Sequence, residues 1–438
     1  MTDIARPTRV RWMIVAAVFV TYVLMFIDRV NISIAAKYMI DEFGISSVEI
    51  GMIFSTFVFG YALFQIPGGW FGDRFGPRRV LGFAILWWSL FTAATAIAGD
   101  IFLASWIGVV GSFALVRFLI GVGEAVAPPN GARTIANWMA PGERGLAFGI
   151  IFAGNTIGAA IAPPLIVWIM VTFGWREAFY ISGAVGIVVA ALWYWVSSDR
   201  PAEHRWINRA EVALIEGDER EGMRADVAEV GAWWQLFRNV RLWCLTAAYF
   251  AVGYVLYLYF AWFYLYLVNG RGMSVEAAGV YTMAPFVVSA ICAPLGGRLT
   301  DRMTRRYGPG NGKAALGIGG LVATAVFVVA GAAVEDVRLA VLLLALGAGG
   351  IYASMAAYWA AAIDMSESHA GTAAGLMNVG CNIGGVISPV LTPWIAGIWG
   401  WATALYVAGA VAIVGALFWL PLIAWRRQGE KMPAISAG

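Results

Sequence analysis

Apolar stretches of about 20 residues, the length a helix needs to cross the hydrocarbon of a bilayer, recur from one end of this chain to the other. Twelve can be laid out, at 12–34, 48–70, 80–99, 105–131, 144–172, 176–197, 240–268, 276–299, 313–333, 338–363, 370–398 and 401–425. Of the 438 residues, 61% are hydrophobic and 13% charged, against about 25% charged in an average soluble domain. No single aqueous core could hide so much apolar surface, so the solvent of this chain is lipid. Arg6, Arg9 and Arg11 precede the first stretch as they would in a signal peptide. That stretch is too long for one, lacks a clear small-residue cleavage site and runs into Asp28-Arg29, so it reads as the first span.

A polar segment, 198–239, divides the spans six and six. The expected domains are therefore an N-terminal bundle over 1–197, a central loop over 198–239 and a C-terminal bundle with its tail over 240–438. Basic residues test the layout. Of 29 Lys and Arg, only Lys37, Arg176, Arg271 and Arg338 fall on one side, with Arg29 and Arg117 inside spans. All the others lie on the opposite side with both termini and the central loop, which the positive-inside rule assigns to the cytoplasm. The expected location is the inner (plasma) membrane. Cys244, Cys292 and Cys381 are far apart, and His204 and His369 sit in polar connections. They offer neither a disulfide framework nor a metal site. No phosphate loop, cofactor motif or nucleic-acid footprint is evident, so no cofactor is expected and protons are the only coupling ion implied.

The halves echo each other. Gly68-Gly69, Asp73-Arg74 recur as Gly296-Gly297, Asp301-Arg302; Gly145, Gly149, Gly158 and Pro163 recur as Gly371, Gly375, Gly384 and Pro389. Repeats of six spans in the same orientation fit a carrier whose site lies at the interface of its halves. The fold class expected is an all-α membrane protein, twelve transmembrane helices in two pseudo-symmetric six-helix bundles.

Four ionisable groups fall inside the N-terminal bundle: Asp28 and Arg29 in the first span, Arg117 and Glu124 in the fourth. Each charge at mid-bilayer costs ~2.5–3.5 kcal/mol on insertion scales, so intramembrane charge reads as functional by default. Arg117 and Glu124 are almost two helical turns apart and share a face; Asp28 and Arg29 diverge by about 100°. Two carboxylates and two guanidiniums sum to zero. A carboxylate substrate would make such a chamber negative, and one proton on Asp28 or Glu124 would restore neutrality where unbalanced charge is costly. Anion and proton would then favour each other's binding. The bland reading of the same residues is a buried ion-pair network that only locks helices together.

The C-terminal half offers no comparable buried charge on this reading. It has Tyr254, Tyr257, Tyr259, Trp262 and Tyr264 on the seventh span, and Asn378 with Asn382, four apart on one face of the eleventh. The aromatics serve packing or the substrate; the asparagines bind substrate hydroxyls or bond between helices.

The run Gly69-Trp70-Phe71-Gly72-Asp73-Arg74-Phe75-Gly76-Pro77-Arg78-Arg79, with its degenerate copy at 297–306, resembles the loop motif of the major facilitator superfamily. Tyr22 to Asn31, Tyr61 with Gln65-Ile66-Pro67, and Arg117 to Pro128 resemble the anion:cation symporters within it, which include galactonate, glucarate and hexuronate permeases and sialin-type carriers. The resemblance implies proton-coupled uptake of an organic anion; the protein is expected to work as a monomer. It implies that Arg29, Tyr61 and Arg117 contact the anion and that Asp28 and Glu124 take protons. Asn155 stands where related carriers place a substrate-binding amide, often the longer glutamine. Arginine suits a carboxylate because its planar fork donates two parallel hydrogen bonds. Asp73, Arg74, Asp301 and Arg302 lie at span ends, where salt bridges would hold one conformation and break in another.

Sugar acids are the first expected substrates. Aromatic and dicarboxylic acids, an organophosphate exchanger and a drug exporter are the rival transport readings. A membrane enzyme or sensor is the rival class, but no nucleophile, metal cluster or appended soluble domain supports it.

Overall fold

The computed structural model describes residues 6–100, 102–216, 233–365 and 370–423. The described chain is helical with no strands, as it must be where lipid cannot satisfy backbone polar groups. Its long helices are α1 (Val10–Phe43), α2 (Ser47–Phe75), α3 (Pro77–Thr95), α4 (Phe102–Ala125), α5 (Ala127–Trp138), α6 (Pro141–Phe173) and α7 (Trp175–Val196). A short α8 (Arg209–Glu216) follows, then α9 (Val240–Leu265), α10 (Val275–Thr282), α11 (Ala284–Tyr307), α12 (Pro309–Ala333), α13 (Val337–Met365), α14 (Ala370–Trp399) and α15 (Trp401–Leu417). Eleven of the described helical stretches are long and apolar enough to cross a membrane. The twelfth expected span is α3, which opens on Arg78-Arg79 and packs against α4 and α7.

Several expected spans differ in extent. The fourth kinks at Gly108, where the backbone is non-helical (φ 77°, ψ 162°), and its hydrogen-bond ladder is interrupted at Val126, just ahead of Pro128-Pro129, although Val126 keeps helical angles. The eighth is likewise divided at Met283 into α10 and α11. The first runs to Phe43, about two turns past the apolar run, and ends where Gly44 takes a left-handed conformation (φ 64°) and donates to the Ile40 carbonyl. At the start of α2, Ser46 and Glu49 form a reciprocal capping box.

By contacts the described chain divides into two compact units. The first comprises Met1–Val227, Tyr257–Val287 and Val386–Trp401; the second comprises Ala228–Leu256, Val288–Gly385 and Ala402–Gly438. Within the first, α1 packs on α6, α2 on α4 and α3 on α7. The α2–α4 contact is set by Gly60 and Gly121. A methyl group at 121 would run into the Phe57 carbonyl, and one at 60 into the Phe118 carbonyl. Small residues at such crossings let helix backbones approach where apolar burial supplies no drive.

The N-terminus of α1 lacks a cap from its own side chains. Glu211 of α8 supplies it: its carboxylate accepts from the Val10 and Arg11 amides, both at 3.1 Å, and from the Thr8 hydroxyl. Arg11 completes the junction with ion pairs to Glu211 (2.9 Å) and Glu143 (2.7 Å). The central segment is thus anchored to the bundle through Glu211 of α8. Residues 217–232 of that segment, His369 and the tail from 424 lie outside the described residues.

In the second unit α12 packs on α13, and Lys313 forms an ion pair with Asp364 across them, both side chains buried. This corrects the expectation that the C-terminal half holds no buried charge. Lys313 sits in the second turn of α12, and Asp364 in the last turn of α13. Both were counted as connections because each lies at the edge of its apolar run.

Candidate functional site

The four intramembrane charges of α1 and α4 converge. Arg29 Nε donates to Glu124 Oε2 at 2.7 Å. Asp28 is buried with neither carboxylate oxygen hydrogen-bonded among the described residues; Glu124 Oε1, Arg29 Nη2 and Arg117 Nε are in the same position. Arg117 is 3% exposed and forms no ion pair among the described residues, although the charges of both Asp28 and Glu124 act on it from farther away. Unmet polar atoms gather here, each costly to bury unsatisfied, which makes this the candidate site.

Both guanidiniums open on one cavity, with about 390 Å³ of unfilled space, part of it open. Ile32 and Ser33 of α1, Phe54 and Phe57 of α2 and Tyr257, Phe260 and Ala261 of α9 complete its lining, all within the first unit. Asp28 is not in that lining, in keeping with the divergence of neighbouring residues on a helix. The cavity walls are mainly aromatic. Phe260 stacks on Phe286 at 5.2 Å and meets Phe26 edge-on at 5.8 Å.

Tyr61, expected to contact the anion, does not line the cavity; its ring lies against Arg29 behind it. The Arg29 Cζ stands 4.7 Å from its centroid, 4.8 Å from that of Phe26 and 5.3 Å from that of Phe57. Arg117 Cζ lies 4.7 Å from the same Phe57 ring. Sequence reading did not single out Phe57, because a phenylalanine in an apolar run carries no signal of its own. Its place one turn before Tyr61 on α2 was the available clue.

Other expected site residues lie elsewhere. Asn155, on α6, does not line the cavity; its Oδ1 is buried with no hydrogen-bond partner among the described residues. Asn378 and Asn382 are on α14 in the second unit, with Asn382 buried. Of the five α9 aromatics singled out in the sequence, Tyr257 lines the cavity; Tyr254, Tyr259 and Tyr264 are buried in packing, and Trp262 donates to the Pro389 carbonyl at 3.0 Å. At the end of α2, Asp73 pairs with Arg133 of α5 at 3.5 Å and Arg74 lies over Trp70 and Phe75, each at 5.7 Å. Asp301 and Arg302 are exposed on α11.

A membrane-spanning helical fold with opposed charges around one internal cavity defines a multi-pass transporter rather than an enzyme. The chain belongs to the Major Facilitator Superfamily, whose family model matches residues 18–389. A probable sulfoacetate transporter of Cupriavidus necator is 33% identical to it over 97% of both chains. A D-galactonate transporter of Escherichia coli is 29% identical, covering 96% of this chain and 97% of that one. Among solved structures, a bacterial homolog of the human lysosomal transporter Spinster superimposes with a TM-score of 0.77 at 19% identity, covering 95% of this chain and 97% of that one. That likeness speaks for the fold alone.

Proposed function

We propose that the protein is a symporter that carries a small organic anion together with protons into the cell by alternating access. It works as a monomer in the inner membrane, with both termini and the central segment in the cytoplasm. The observation that carries this reading is Arg117: a buried guanidinium on a cavity, without an ion-pair partner among the described residues, beside an Arg29–Glu124 pair. An arginine held in this way meets an incoming carboxylate with its in-plane donors unspent. Arg29 adds a second donor set, and Tyr61 supports it.

Glu124 and Asp28 are the proton acceptors. When an anion arrives, the cluster of two acids and two arginines becomes negative, and protonation of one acid restores balance. Protonating Glu124 also releases Arg29, so that the second arginine turns from its internal partner to the substrate. One proton per monoanion cancels the membrane voltage, which otherwise opposes anion entry by ~2.3 kcal/mol per 100 mV. A second proton, one for each acid, lets the voltage assist.

Sugar acids are the first substrate class, supported by the D-galactonate transporter among the relatives. A short doubly charged acid is a second reading, favoured by two guanidiniums on one cavity and by the probable sulfoacetate transporter. Asp73 and Arg74, with Asp301 and Arg302, serve as conformational contacts that break and re-form between states.

Uptake into proteoliposomes tests the proposal. Labelled galactonate, glucarate and sulfoacetate are offered with an inside-alkaline pH gradient. At least one should accumulate above equilibrium, a protonophore should abolish the accumulation, and Arg117→Ala should not transport. Gradient-independent entry would refute proton coupling, and no uptake of any organic anion would refute the carrier reading.

A further inference from the structure

We propose that Phe57 is a positioning residue of the anion site: its ring holds Arg29 and Arg117 beside the cavity without neutralising them. The inference rests on the anion-carrier reading and deepens it.

Two guanidiniums on one small cavity repel each other, and the usual remedy, a carboxylate on each, has a drawback here. A carboxylate occupies the same in-plane N–H donors that a substrate anion needs, so it competes with the substrate. An aromatic ring attracts the cation through its face and leaves those in-plane donors open. Phe57 stands within cation–π range of both groups, 4.7 Å from Arg117 Cζ and 5.3 Å from Arg29 Cζ. No other described ring is shared between them in this way. For Arg117, which forms no ion pair among the described residues, it is the charge-stabilising contact that the cavity itself supplies.

The backbone fixes this arrangement. Gly121, one turn beyond Arg117 on α4, lies against the Phe57 carbonyl. The Phe57 ring is braced on its own helix by Tyr61, stacked at 6.2 Å and 26°. It is 3% exposed and lines the cavity. Without the ring, Arg117 would be drawn to the Asp28 and Glu124 carboxylates whose charges already act on it. That would close the anion site and silence the acids together. Phe57 would therefore govern both anion affinity and its pH dependence, which a plain packing residue would not.

The test compares purified wild type with Phe57→Leu, Phe57→Trp and a protein carrying 3,4,5-trifluorophenylalanine at 57, whose shape is nearly kept but whose ring face attracts cations less. Ligand-induced thermal shift and proteoliposome uptake are read with galactonate, glucarate and sulfoacetate from pH 5 to 8. The Leu variant should raise KM about thirtyfold, the scale of a desolvated cation–π contact, and flatten the pH dependence of affinity. The trifluoro ring should raise KM in the same direction with the unliganded melting temperature unchanged, and Trp should hold KM near wild type. Unchanged KM and pH slope in the trifluoro protein overturn the proposal even if the Leu variant fails to fold. If wild type itself responds to no organic anion, the carrier reading falls and this inference falls with it; if only the Phe57 variants are indistinguishable from wild type, the carrier reading stands alone.

Discussion

The bond from Arg29 Nε to Glu124 Oε2, 2.7 Å long and closed to solvent on the glutamate side, joins the two helices that carry all four charges of the cluster. Arg117, the other guanidinium of the cavity, has no such bond among the described residues. The two arginines should therefore answer differently to removal.

Truncating Arg29 leaves Glu124 as a buried carboxylate without its partner. Breaking a buried pair on one side typically costs ~3–5 kcal/mol, so Arg29→Ala should melt well below wild type. Arg117→Leu removes a buried charge that has no ion pair among the described residues and is met by the Phe57 ring, and should hold or raise the melting temperature while abolishing anion uptake. Thermal unfolding in detergent checks both. A drop for Arg117→Leu as large as that for Arg29→Ala would mean Arg117 is structural.

Glu124→Gln keeps a side chain of similar size that still accepts from Arg29 but cannot exchange a proton. Exchange of labelled for unlabelled anion should survive in this variant, and accumulation driven by a pH gradient should fall at least tenfold. In wild type, anion affinity should rise as pH falls, because proton and anion favour each other's binding. The slope of log Kd against pH should approach one per coupled proton, and it should be shallower in the Gln variant.

The contact between α2 and α4 is tight enough that one methyl group matters. Gly121→Ala sets its Cβ against the Phe57 carbonyl, and overpacking of this kind costs ~1–3 kcal/mol. It should lower the melting temperature and weaken anion binding together, because the same shift lifts Arg117 off Phe57. Gly149, whose added Cβ meets nothing within 4 Å, is the control: Gly149→Ala should be neutral.

The Lys313–Asp364 pair gives a test of its own in the second unit. Lys313→Met or Asp364→Leu alone should destabilise by ~3–5 kcal/mol, since each strands a buried charge. The double variant should recover most of that loss, with the non-additivity read from a double-mutant cycle. Additive losses would mean that the two side chains are independent.

Much of the fold was legible because lipid enforces a coarse rule: apolar stretches must be helices of bilayer length. Asp28, Arg29, Arg117 and Glu124 stood out for the same reason, as charge in an apolar run is conspicuous. What the rule misses is whatever hydropathy does not mark. Phe57 looks like any other apolar residue until the ridge of α4 brings Arg117 over it. Lys313 and Asp364 look like loop charges because each sits at the edge of its span, and only the α12–α13 packing turns them inward. The interruption at Val126 leaves no trace in hydropathy, although Pro128-Pro129 marks the place. The extra turns of α1 beyond its apolar run carry Lys37 and Asp41, which pair along the helix at 3.2 Å and so favour its continuation.

The carboxylate that caps α1 belongs to Glu211, about two hundred residues further along the chain. During synthesis the first turn of α1 is made long before its cap exists, and its amides face water or headgroups until the stretch after α7 has left the ribosome. The start of α1 is thus finished only once α8 has been made, and the unit it belongs to still awaits Tyr257–Val287 and Val386–Trp401.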